Sequence, residues 1–247
     1  MAMASDRTII NNRDEYHDVC INENLLTSRT IHRYDDLCQA YRLRHEIFAE
    51  VLHWVPTRQS KLETDDYDIH SEHFGVFDND KLLCYLRLIT PGNPFMIENE
   101  FSSLISKDHI IHKTDDTCEV SRLCISCHAR TNRVPVGADT YSTSILLFKS
   151  LYHWCKINCI RYVYIVVAHK VLRMLNMIGV PCTPIGPPKV MPDGIIAVAA
   201  IIDDIDIEIK NAIRKPKAFQ WISQIQSDPM RLPPPLRGAY LPPQVSA

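Results

Sequence analysis

Two ionisable side chains interrupt an otherwise apolar, strand-like run, Cys118-Glu119-Val120-Ser121-Arg122-Leu123-Cys124-Ile125. A charge inside a buried strand is costly unless it is paired and hydrogen-bonded, so Glu119 and Arg122 need partners. Three other segments share the oddity. Arg44 falls in the helical series Leu37, Tyr41, Phe48, Val51 and Val55 and therefore sits on the core face. Arg87 interrupts the hydrophobic run Lys81–Ile89. Between them, Leu62-Glu63-Thr64-Asp65-Asp66-Tyr67-Asp68 is dense in acids. Arg44, Arg87 and Arg122 need acids, and Asp65, Asp68 and Glu119 can supply them. The pattern predicts one buried ion cluster gathered from distant segments. A polar cleft tolerates such a cluster best, and clefts with perturbed titratable groups are where proton chemistry is found, although purely structural ion pairs have the same signature.

Other chemistry-bearing spacings are weaker. Cys124-Ile-Ser-Cys127-His128 matches a haem-attachment motif, but it lies on the predicted central strand and no export signal precedes it. Zinc at Cys118, Cys124, Cys127 and His128 lacks a second paired motif. Asp68, His70 and His73 read more simply as a polar loop at the cleft edge than as metal ligands. No metal is expected.

The elements that must position the cluster follow from periodicity. Residues 35–52 read as a helix capped by Asp35 or Asp36, and 53–72 as an irregular loop. His73–Phe77 and Lys81–Ile89 read as strands joined at Asp78-Asn79-Asp80, with a short helix inside 97–107. Glu119–Ile125 is the central strand, and 129–139 a basic, turn-prone loop. Ser142–Lys156 is an amphipathic helix, Arg161–Ala168 a near-continuous apolar strand, and His169–Ile178 a helix ended by Gly179. Ile195–Ile202 is a strand and Ile205–Ile225 is helical. From Asp228 onward prolines dominate, which reads as an extended tail. The fold class is α/β: a mixed central sheet flanked by helices. Three parts are expected: a polar N-terminal lead-in over 1–34, the main domain over 35–204, and a helical extension with a Pro-rich tail over 205–247.

Composition narrows the function. Hydrophobic residues make up 46% of the 247, enough for a full core, and the net charge is −2 with no basic stripe, so nucleic acid is excluded as a partner. No apolar run approaches the ~18 residues of a membrane span. The N-terminus lacks an apolar signal region. Nine cysteines, many inside strand or helix patterns, suit reduced thiols in a cytoplasm.

The element order is similar to the GNAT acyltransferase fold, and the charged residues resemble the signature of the autoinducer synthases, which make acyl-homoserine lactones. The matching segments occur in order over roughly residues 40–202: Arg44-His-Glu-Ile-Phe48 with Trp54, Glu63-Thr-Asp65-Asp-Tyr-Asp68, Arg87 in Tyr85-Leu-Arg-Leu, and Glu119-Val-Ser121-Arg122. The stretch Leu62–Phe74, the Leu123 that follows Arg122 and the C-terminal extension look closer to the PEP-CTERM/exosortase-associated acyltransferases and the related long-chain N-acyl amino acid synthases.

The resemblance implies transfer of a fatty acyl group from the thioester of acyl carrier protein to the α-amine of an amino-acid-type acceptor, with no cofactor beyond that donor. The alternatives are a lactone synthase using S-adenosylmethionine (SAM) and a non-catalytic protein that binds acyl chains or their carrier. Glu119 is the implied base, directly or through a water, with Ser121 and Arg122 beside it; its other reading is a structural partner of Arg122. Arg44, Arg87, Asp65 and Asp68 would hold acceptor and loop, an arginine fork suiting an acceptor carboxylate. Phe48 and Trp54 would wall the cleft. Backbone N–H groups of a splayed central strand would polarise the thioester carbonyl. Arg133-Val-Pro-Val-Gly137-Ala138 has the wrong spacing for a pyrophosphate loop, so Arg130, Arg133 and Lys149 are assigned to docking an acidic carrier protein.

One expectation is geometric. Glu119 and Arg122 are three apart and face opposite sides of a regular strand. They can serve one site only if the strand bulges between Glu119 and Leu123.

Overall fold

The computed structural model describes residues 16–214 and 216–224. The expected Pro-rich tail and the first half of the lead-in lie outside the described residues. The chain begins with a hairpin, β1 (Cys20–Glu23) and β2 (Leu26–Thr30), followed by α1 (Tyr34–Arg44). Strands β3 (Ser71–Asp78) and β4 (Lys81–Ile89) form the expected second hairpin, and β5 (Thr117–Ile125) is central. One-turn helix α2 (Met96–Asn99) lies between β4 and β5. After a small separate hairpin, β6 (Arg133–Val136) and β7 (Asp139–Ser142), come α3 (Ile145–Ile157), β8 (Tyr162–Ala168) and α4 (His169–Met177). The short strands β9 (Thr183–Pro184) and β10 (Lys189–Val190) precede β11 (Ile196–Asp203). Helices α5 (Asp204–Arg214) and α6 (Lys217–Ser223) end the described chain.

The main sheet runs β1-β2-β3-β4-β5-β8-β11-β10, with β9 also on β11. Only β5 and β8 pair in parallel, and their pairing stops at Val120↔Ile165, although β5 continues to Ile125 and β8 to Ala168. The sheet therefore opens beside the second half of β5.

Strand alternation sorts the two faces. Cys84, Leu86 and Leu88 of β4, Cys118 of β5, Val163 and Ile165 of β8, and Val198 and Ala200 of β11 share a core with residues of α3 to α6. On the opposite face Tyr85 packs against α1, while Ile89, Tyr164 and Ala199 pack with Phe95, Met96 and Ile97 around α2. Arg87 and Glu119 project on this second face. Among the described residues, no helix is long and apolar enough to cross a membrane.

Several expectations change. The lead-in supplies two sheet strands, with Ile21, Ser28 and Thr30 buried. Asp35 and Asp36 lie in the first turn of α1 after an N-cap at Arg33, and Asp36 pairs with Arg29 at 2.8 Å. The helix expected over 205–225 is two helices, because Pro216 has no N–H to continue the ladder and instead caps α6. Both helices contribute to the principal core through Ile207, Ala218, Phe219 and Ile222.

Candidate active site

The bulge is present. Between Tyr85↔Cys124 and Arg87↔Ser121 the register of β4 and β5 slips by one residue, and Arg122 takes φ +54°. The extra residue reverses alternation: Glu119, Ser121 and Arg122 all reach the α1/α2 face, while Leu123 packs against the opposite core. Without the slip, Arg122 would enter the apolar core beside Val120.

Arg44 comes from the end of α1, where the chain widens into a π-helical segment, His45–Val51, a distortion often found at functional sites. The acids come from the loop before β3. Asp65 and Asp68 cap a 3-10 turn, Asp66–His70, reciprocally, with Asp65 accepting from the Tyr67 N–H at 3.0 Å and Asp68 from the Asp65 N–H at 2.9 Å.

Arg44 donates to Glu63 and, at 2.6 Å, to Asp68. Arg87 donates to Asp65, to Asp68 at 2.7 Å and to Ser121 Oγ at 3.0 Å. Arg122 bonds Glu63 at 3.1 Å and Asp65 at 2.6 Å. Each of these three arginines thus hydrogen-bonds to two of the three acids, Arg44 also lies 3.7 Å from Asp65, and Arg44 and Arg87 are fully buried. Burial pushes the Asp68 carboxyl up, but the Arg44 and Arg87 guanidiniums outweigh it and hold it well below the usual range. Burial likewise raises Glu63, and Arg44 and Arg122 more than reverse it. Beneath the cluster, His73 is kept neutral by burial, down to about 3, and its Nδ1 meets the Tyr85 hydroxyl at 2.7 Å.

Glu119 stands apart from this network. The expected pairing with Arg122 is absent because the bulge aims Arg122 at Glu63 and Asp65. Glu119 is 1% exposed; Oε1 accepts from the Ile97 N–H at 3.1 Å, and Oε2 has no hydrogen-bond partner. Burial pushes its carboxyl up to about 8, only partly offset by the backbone N–H groups of Met96 and Ile97 and by Arg87. A buried carboxyl with one free oxygen can accept a proton from a bound substrate.

Phe48 lies under Arg122, ring centre to guanidinium 5.5 Å, and stacks on half-exposed Trp54 at 5.9 Å. The loop arginines Arg130 and Arg133 are exposed, but Lys149 is not a docking residue: it is 2% exposed, with Nζ 4.0 Å from the Trp221 ring centre. Sequence reasoning assigned no role to Glu63 or Met96. Glu63 bridges Arg44 and Arg122, and its signal was its place at the head of the acidic motif. The Met96 sulfur sits 3.0 Å from Arg87 Nη2 and 3.6 Å from Arg122 Nη1, with no sequence signal at all. The described residues that gather as metal-type ligands are Asp18, His32 and Glu72, none of them among the groups considered from sequence.

The family model described as autoinducer synthase matches residues 28–213. The acyl-homoserine-lactone synthase of Aeromonas salmonicida is 23% identical over 185 residues, 74% of this chain and 87% of its own length. Among solved structures, the CoA-dependent acyl-homoserine lactone synthase BjaI with MTA superposes with a TM-score of 0.60 at 22% identity, covering 72% of this chain and 82% of its own. BjaI with SAM and isopentyl-CoA gives 0.57 at 21% identity, over 72% and 81%.

These matches correct the leading functional expectation. An N-acyl amino acid synthase fed by acyl carrier protein, with an amino-acid acceptor and no further small-molecule requirement, is overturned. These relatives are lactone synthases, and BjaI, one of those solved, is CoA-dependent and holds SAM or MTA. The PEP-CTERM/exosortase-associated branch finds no support among them. The central sheet with its flanking helices, the ordered charged motifs and the family match agree: the chain belongs to the autoinducer synthase family.

Proposed function

We propose that this protein is an acyltransferase that makes an N-acyl-homoserine lactone from SAM and an acyl-CoA thioester. The observation that carries the reading is Glu119, a buried carboxyl with an unpartnered oxygen, beside arginines whose charges are already balanced. SAM is a cationic acceptor, and such a carboxyl fits it: an arriving ammonium favours the carboxylate form that burial disfavours.

Glu119, as the carboxylate, takes one proton from the acceptor ammonium, and the freed amine attacks the thioester carbonyl. The amide C–N bond forms, the C–S bond breaks, the second proton of the nitrogen passes to the departing sulfur, and CoA leaves as its thiol. The opening between β5 and β8 beyond Val120 is where the thioester lies, and backbone N–H groups of β5 polarise its carbonyl. Arg122 and Arg87, locked by Glu63, Asp65 and Asp68, fix the acceptor. Phe48 and Trp54 wall its apolar part. The acceptor carboxylate oxygen attacks the carbon bearing the sulfonium; that C–S bond breaks, the lactone closes and neutral methylthioadenosine (MTA) leaves. We place the reaction in the cytoplasm, consistent with nine free cysteines.

The test is to incubate purified protein with SAM and acyl-CoAs of several chain lengths and measure lactone and MTA by mass spectrometry, beside Glu119→Gln. Lactone and MTA in equal amounts support the reading. Acyl-CoA consumption without MTA would sink it.

A further inference from the structure

The turn between β10 and β11 reaches across the opening in the sheet. Asp193 sits at its tip, followed by Gly194 at φ +82°. One Asp193 carboxylate oxygen accepts from the Ile195 N–H at 3.0 Å, and the other accepts from the indole N–H of Trp54, a contact between residues 139 apart in sequence. Trp54 belongs to the half of the molecule built on α1 and β4, whereas β10 and β11 lie beyond β8. The bond therefore joins the two lips of the cleft.

Two chains of contact tie this tip to the site. From Trp54 the path runs through the stacked Phe48 ring to Arg122. From the same turn, Met191 packs against the cluster containing Met96 and Ile97, which touch Arg87 and hold Glu119. Asp193 is also electrostatically distinctive. Glu63, Asp65 and Asp68 are consumed by three arginines, but among the described residues no cation pairs with Asp193. Its hydrogen-bond donors there are both neutral N–H groups, so its negative charge stands uncompensated at the mouth.

We propose that Asp193 is the charge-selecting residue of the acceptor subsite, a carboxylate on the rim that favours a sulfonium-bearing acceptor over its neutral thioether counterpart. This rests on the SAM reading above. With the internal cluster neutral and Glu119 protonated in the free protein, Asp193 is the fixed negative charge facing an acceptor with net charge +1. Trp54 aims it, holding the carboxylate over the aromatic wall.

The test uses the full chain and calorimetry with two probes, SAM and S-adenosylhomocysteine, which differ by the methyl group that creates the sulfonium. Asp193→Asn keeps an oxygen for the Trp54 N–H while removing the charge. A rim charge pair corresponds to about a fivefold effect. We expect Asp193→Asn to weaken SAM binding about fivefold, leave S-adenosylhomocysteine within about twofold, and raise KM for SAM with kcat nearly unchanged. Trp54→Phe, which keeps the charge but releases the tip, should lower the preference for SAM over S-adenosylhomocysteine in the same direction as Asp193→Asn. Equal SAM-to-thioether preference in Asp193→Asn and wild type overturns this proposal alone. Failure of the wild-type protein to bind SAM overturns the functional reading and this inference with it.

Discussion

Replacing Glu119 with Gln should make the protein more stable at mildly alkaline pH, although it removes the group assigned to proton transfer. The carboxyl is 1% exposed, and its pKa moves from an ordinary 4.5 up to about 8 because burial penalises the charged form. A folded-state pKa above the unfolded one contributes stability that is fully present below the unfolded value and lost as pH rises through the folded value. For Glu119 that window runs from 4.5 to about 8. At 1.36 kcal/mol per unit, wild type loses roughly 4–6 kcal/mol across it relative to a neutral side chain. Glutamine does not titrate. Urea unfolding of both proteins at about pH 5 and about pH 8 isolates the effect, since other titrations cancel in the difference. The variant should gain several kcal/mol on wild type between the two pH values, while kcat falls roughly 10²- to 10⁴-fold. A wild-type-minus-variant difference that is the same at both pH values would refute the argument, because it would mean that Glu119 titrates normally.

Asp68→Asn leaves two buried guanidiniums short of one acid and should cost about 3–5 kcal/mol in urea unfolding; a loss below ~1 kcal/mol would mean that the cluster relaxes around the change. In wild type the depressed Asp68 pKa predicts stability that is held above its ordinary 3.8 and drains away as pH falls below it, and the variant should lack that part of the acid limb. Gly179→Ala places a Cβ 2.6 Å from Phe219 Cβ and 2.7 Å from Asn211 Oδ1 at φ +94°, so thermal unfolding should show a loss of at least ~1–3 kcal/mol. Glu63→Gln should leave excess positive charge near Glu119 and lower its pKa, read by carbon NMR titration of the Glu119 carboxyl; an unmoved midpoint would separate the two groups electrostatically.

The legible part of the site was the part that broke a pattern. Arg44 inside a helical stripe and Arg87 and Arg122 inside apolar strands are visible as misplaced charges, and the acids that answer them follow from charge balance. Spacing also exposed the bulge, since two site residues three apart cannot share a face of a regular strand. The partner of each charge was hidden because it depends on where the loop and α2 dock. Of the three acids assigned to the arginines, Asp65 and Asp68 do pair with them, yet Glu63 fills the place given to Glu119. Lys149 misled for a related reason: nothing near it in sequence shows that Trp221, from a helix after the main sheet, lies over it. The first hairpin was hidden because its polar outward residues mask a short inward set, Ile21, Ser28 and Thr30.

In the proposed mechanism, the exchange of Glu63 for Glu119 is what leaves a base available. Had Arg122 paired with Glu119, a guanidinium in contact would have pulled that carboxyl below its ordinary value, as Arg44 and Arg87 do for Asp68. Such a weak base could not take a proton from an amine. The slip in β5 carries Arg122 away to Glu63 and Asp65, so the three arginines are neutralised by acids other than Glu119. They become a rigid, nearly neutral wall, and the energetic cost of burying them is met within the cluster. Glu119 is left with burial as the dominant influence, which raises its basicity toward the range that proton transfer from an amine requires. The residue at φ +54° in the central strand is therefore tied to the pairing: local backbone strain at Arg122 accompanies the slip that keeps its guanidinium away from Glu119.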